Sequence, residues 1–149
     1  MATSAMLKKM IGKTSDTIGF EIERGQIRRF AKAIGESNPI HYDVEAAASA
    51  GYDNLVAPPT FPSALHGFDD FYKLLGLNPH ALMHQEEEYE FFKPIFAGDE
   101  IKVVHSVVNA YDKALPNGRL IYIVIETRGG DKRSRPVFKG RRVLVELER

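Results

Sequence analysis

The sequence predicts an α+β domain in which a curled antiparallel sheet wraps a helix. Three observations carry that expectation. Helical apolar periodicity is confined to the first half of the chain, from Glu23 to Gly76; the period changes to strict alternation near Met83; and three Val- and Ile-rich segments then follow, joined by short polar turns.

The first helix is expected from Glu23 to Ile34. Ile27, Phe30, Ala31 and Ile34 fall on one face, with Arg24, Arg28, Arg29 and Lys32 around the other, and Gly35 follows as a C-terminal stop. The chain should then turn sharply at Asn38-Pro39 within 35-GESNPIHYD-43. A short alanine-rich helix over Val44–Ala50 is closed by Gly51. The longest helix is expected within 56-VAPPTFPSALHGFDDFYKLLG-76, capped by Thr60, with Pro62 in its first turn and a stripe of Leu65, Phe68, Phe71, Tyr72 and Leu75. A helix so apolar, followed only by strands, needs a sheet around it.

From Met83 to Phe92 the alternation places Gln85, Glu87, Tyr89 and Phe91 on one face and His84, Glu86, Glu88 and Glu90 on the other. No second histidine stands at a ligand spacing from these carboxylates, so a solvated sheet face or a helix-contacting edge is expected and no metal. Strands over Ile101–Asn109, Leu120–Arg128 and Val137–Leu147 complete a meander through hairpin-type connections at 112-DKALPNG-118 and 129-GGDKRSRP-136.

The chain has 149 residues, which suits one domain over 1–149 with a single core. Twenty basic residues balance twenty acidic ones, so there is no long-range field to gather a polyanion and no nucleic-acid partner is expected. The absence of cysteine excludes disulfides, thiolate metal sites and a cysteine nucleophile. No run of about 18 apolar residues occurs, so no membrane partner and a cytoplasmic location are expected.

Residue by residue, GESNPIHYD, GYDNLVAPPTF and 91-FFKPIFAGDEI-101, in that order ahead of long strands, resemble the MaoC-like dehydratases and (R)-specific enoyl-thioester hydratases. The resemblance runs from about Ile11 to Glu146 and implies a single hot-dog fold. It also implies hydration of trans-2-enoyl thioesters, or dehydration of (3R)-3-hydroxyacyl thioesters, carried by CoA or acyl-carrier protein, without a cofactor. The family loop has the form Asp-x-Asn-Pro-x-His. Here Asn38, Pro39 and His41 fall on the motif, while its aspartate position is Glu36. Glu36 and His41 are the implied acid/base pair, on a loop expected to lie away from the core; Asn38 is a substrate-binding candidate beside Thr60 and Phe61 and is expected above all to brace the turn.

At the oxyanion position the family commonly has His-Gly-Met, where this chain has Pro58-Pro59-Thr60. Proline has no N–H, so Thr60 or Phe61 would have to donate to the thioester oxygen. His66 is expected to line the core or pocket, His84 to lie near the substrate path, and His80 and His105 to be surface or satisfied residues. A homodimer or higher oligomer is implied, as is the alternative of a heterodimer with another hot-dog chain. A non-catalytic partner subunit and a hot-dog thioesterase are the competing readings, the Asn-Pro-x-His loop arguing against the second.

Overall fold

The computed structural model describes residues 3–65 and 67–148. Helix α1 (Ser4–Met10) is followed by strand β1 (Ile18–Glu21), helix α2 (Arg24–Ala33), helix α3 (Val44–Ser49) and helix α4 (Phe68–Leu75). Strands β2 (Leu82–Phe91), β3 (Glu100–Leu115), β4 (Gly118–Gly130) and β5 (Pro136–Glu148) complete the order, and single 3₁₀ turns stand at Pro39–His41, Phe61–Ala64 and Pro79–Ala81. All strand pairs are antiparallel, in the order β1-β3-β4-β5-β2. The α+β expectation and the meander hold, and the strands run further than the sequence indicated. β3 and β4 pair as far as Leu115 and Gly118, leaving Pro116 and Asn117 as a two-residue turn.

Strand alternation decides what faces the helices. Val107, Ile121, Ile123, Ile125 and Leu144 pack on Leu7 and Met10 of α1 and on Phe71, Tyr72 and Leu75 of α4. Ile101, Val103, Val137 and Phe138 pack on Ile27 of α2 and on Leu55, Phe61 and Leu65. β1 and α1 carry too few apolar residues to announce themselves in the sequence. β1 forms because Ile18 to Glu21 pair with Val103 to Glu100, and α1 is held by the Thr3 hydroxyl, which accepts from the Met6 amide, and by burial of Leu7 and Met10.

The long helix expected over residues 56–76 is corrected. The segment forms a 3₁₀ turn at Phe61–Ala64 and then the eight-residue α4, shorter than the ten residues of α2. Gly67, the residue capping α4, has φ +137°, which ends any helix arriving from Thr60. A Cβ there would also come within 2.6 Å of Ile18 Cδ1. Thr60 makes no side-chain cap bond, contrary to expectation. His66 lies outside the described residues, so its expected lining role has no structural counterpart here.

Candidate active site

The candidate site is built by two segments that leave the helical layer and meet. The first begins where α2 ends. Gly35 adopts φ +71° and the Glu36 amide donates to Ala31 O at 2.9 Å, closing the helix and starting the loop. The Tyr42 hydroxyl donates to Glu36 O at 2.5 Å, and Arg28 Nε donates to Tyr42 O at 2.9 Å, so α2 and the loop hold each other. Asn38 accepts from the Ile40 amide at 3.2 Å through Oδ1, which is the bracing role expected of it. Asp43, the loop's second acid, accepts from the Glu45 amide and caps α3.

His41 is 5% exposed, so the expectation of a loop histidine clear of the core is corrected. Its Nδ1 lies 2.6 Å from Val56 O. A carbonyl only accepts, so Nδ1 carries a proton, and in the neutral ring the lone pair is on Nε2.

Glu36 Oε1 accepts from the Ser37 and Asn38 amides at 2.8 and 2.9 Å. These two bonds, Asn38 first, hold its pKa below the ordinary value and keep it a carboxylate, with His41 adding a smaller pull in the same direction. No hydrogen bond joins Glu36 to His41 among the described residues; they share one loop.

The second segment carries Val56 to Phe61. The Val56 amide donates to Ile40 O and the Ala57 amide to Ile95 O, which pins the strand-like stretch between the loop and the chain that follows β2. Of the two expected oxyanion donors, the Phe61 amide is committed to Pro58 O at 2.9 Å and its ring is buried against Phe30. The Thr60 amide donates to none of the described residues, and Thr60 is exposed. Val56, Ala57 and Pro59 line an apolar groove of about 370 Å³ together with Phe91, Phe92, Pro94 and Ile95.

A second polar group, under α4, was not singled out by the sequence. His105 is 1% exposed, neither a surface residue nor fully satisfied: Nδ1 meets Thr127 Oγ1 at 2.8 Å, and Nε2 has no partner among the described residues. Burial, then Arg142, lowers its pKa to about 4. Arg142 donates to Glu87 at 2.8 Å, the Tyr89 hydroxyl donates to the same carboxylate, and His84 Nε2 stands 2.9 Å from it. Burial opposes the Arg142 charge, but Glu87 and Tyr72 hold its pKa above the ordinary value. The signal was present in the alternation: His105 is in phase with Val103 and Val107, and Arg142 with Phe138 and Leu144. Among the described residues no group of three or more His, Cys, Asp or Glu could hold a metal ion, and no helix is long and apolar enough to cross a membrane.

Comparison with known proteins fits this architecture. A UPF0336 protein of Parafrankia sp. is 43% identical over 95 residues, covering 60% of this chain and 62% of that protein. The chain thus spans less than two thirds of that relative's length. Among solved structures, the truncated HadBC (3R-hydroxyacyl-ACP dehydratase) complex of Mycobacterium tuberculosis superposes with a TM-score of 0.80 at 23% identity, over 97% of this chain and 99% of that one. The (R)-hydratase of A. caviae involved in PHA biosynthesis gives 0.67 at 18% identity, over 93% of this chain and 96% of that one. These likenesses show the hot-dog fold. The model of the FAS1-like dehydratase domain region matches residues 9–140, which take in β1 to β4, the start of β5 and both site segments, and the chain belongs to that family.

Proposed function

We propose that this chain catalyses (R)-specific hydration of trans-2-enoyl thioesters and the reverse dehydration of (3R)-3-hydroxyacyl thioesters, with CoA or acyl-carrier protein as the handle. The observation that carries the reading is the His41–Val56 bond, which leaves Nε2 free to act as a base and ties the loop to the segment that lines the apolar groove and leads to Thr60. His41 Nε2 takes a proton from water, the water oxygen bonds to C3, and the π pair moves to C2 and the thioester oxygen. The Thr60 amide holds that oxygen as it gains charge. The proton on His41 then passes to C2, and the second water proton stays on the new hydroxyl. Glu36, kept ionised by two amides, orients the water and offsets the transient imidazolium charge.

The competing reading is a non-catalytic subunit, favoured by one observation: Glu36 Oε1 accepts from the amides of its own loop, and no hydrogen bond joins Glu36 to His41 among the described residues. The two edges of the sheet support association in either case, since the ten-residue β2 stands at one edge and has no partner strand on its outer side among the described residues. The deciding experiment is a hydration assay of the purified protein on crotonyl-CoA and longer enoyl thioesters, followed at the loss of the enoyl absorbance. Turnover with (3R) product establishes the activity. No turnover, together with a second hot-dog chain co-purifying, establishes the subunit reading.

A further inference from the structure

Residues on either side of Thr60 in the sequence line two cavities that an acyl chain could enter, and the two directions differ in chemistry. The inner one runs past Pro62 and Leu65 and meets Phe68, Glu87, His105 and Arg142. These side chains close on each other. The Phe68 ring stacks on the His105 imidazole with centroids 3.9 Å apart, the Arg142 guanidinium lies 4.0 Å from the centre of the same ring, and Glu87 holds Arg142 from the other side. The space left is about 10 Å³, room for about one water molecule. Two nitrogens in its wall, His105 Nε2 and Arg142 Nε, are buried without a partner among the described residues. Methylene groups placed against them would leave both unpaired and would have to part a buried ion pair.

The outer direction is the groove of about 370 Å³ beside Val56, Ala57 and Pro59. Two of its lining residues are tied to the site segments: Val56 accepts from His41 through its carbonyl, and Pro59 directly precedes Thr60. Phe92, a large apolar side chain left 54% exposed, lines it. A volume of this size is within the range of small-molecule sites.

Building on the hydratase reading, we propose that the acyl chain is held in this outer groove, that Phe92 sets the chain length accepted, and that the Phe68–His105–Arg142–Glu87 assembly keeps the chain out of the interior. The test is calorimetric titration with saturated thioesters, butyryl- to decanoyl-CoA, which bind without turnover. Affinity should rise two- to fourfold per methylene until the groove is filled. Phe92→Ser should flatten that rise, Phe92→Leu should keep most of it, and Phe68→Ala should leave it unchanged.

The proposal is overturned if affinity is independent of chain length, if Phe92→Ser leaves the rise intact, or if Phe68→Ala abolishes it. It is also overturned if Phe92→Ser dissociates a dimer in sedimentation while the wild type shows no chain-length dependence, since the groove is then covered by a second copy. Because these ligands are not hydrated, the two readings separate. A protein that binds longer chains more tightly but hydrates no crotonyl-CoA keeps the groove and loses the activity, and the converse result removes only the groove.

Discussion

His41 and Val56, fifteen positions apart, are joined by a 2.6 Å bond from Nδ1 to the backbone carbonyl, and that contact ties the acid/base loop to the segment leading to Thr60. The bond gives His41 two separable roles. His41→Ala should lower kcat/KM for enoyl thioesters by roughly 100- to 10,000-fold and destabilise the fold by about 1–2 kcal/mol, because Val56 O loses its buried donor. His41→Asn can still donate to that carbonyl but cannot take up a proton. It should recover most of the melting temperature and none of the turnover, and wild-type turnover in His41→Asn would remove the imidazole from the mechanism.

Glu36 allows a similar separation. In Glu36→Gln the amide oxygen can accept from Ser37 and Asn38 as Oε1 does, so the turn should persist while the charge is lost. We expect kcat/KM to fall at least 100-fold with little change in melting temperature. Glu36→Asp, the residue type of the resembling motif, should retain or raise activity. Steady-state kinetics with crotonyl-CoA on both variants gives the answer, and equal turnover in Glu36→Gln and wild type would assign Glu36 to the turn alone.

The Thr60 amide is the donor expected to hold the enolate oxygen, since Phe61 is committed to Pro58. Thr60→Pro should cost about 100-fold or more in kcat with a smaller effect on KM. Pro59→Gly adds an amide and frees the backbone, and should be tolerated or raise turnover. Proline at position 60 also constrains the residue before it, so melting temperature must be measured alongside. A Thr60→Pro enzyme that stays folded and active would move the oxyanion donor elsewhere.

What could be read from the sequence followed from local rules, and what could not depended on contacts between distant segments. The alternation of β2 to β5 and the stop at Gly35 are local, and both were legible. The split at Gly67 was not, because the apolar stripe from Leu65 to Leu75 has helical spacing whether or not the chain breaks before Phe68. The approach of Ile18 to Gly67 is a tertiary fact. The motif residues of the loop were legible from their types, yet the burial of His41 depends on Val56 arriving from a later segment. His105 and Arg142 showed their inward phase in the sequence, but a charged residue in phase with a core becomes intelligible only when Glu87, from another strand, is seen to meet it.

The buried His105 makes stability depend on pH in a definite direction. Its pKa falls from an ordinary 6.5 to about 4 in the folded chain, through burial first and the nearby Arg142 second. The groups facing it are Thr127 on β4, Phe68 and Phe71 on α4, and Arg142 on β5, which is itself paired with Glu87 on β2. The unfolded chain therefore binds a proton at this residue at a higher pH than the folded chain does. The stabilisation is fully present above about pH 6.5 and is lost as pH falls toward 4, a change of about 3 kcal/mol. Glu36, whose folded pKa is also lowered, from 4.5, contributes to acid unfolding at lower pH and is common to both proteins in a paired comparison. Urea unfolding of wild type and His105→Gln between pH 7.5 and 4 is the measurement. The difference in unfolding free energy should shrink by about 3 kcal/mol across that range. A difference that stays constant would mean that His105 takes up its proton equally in both states, and one that grows on acidification would mean that the folded protein holds it charged.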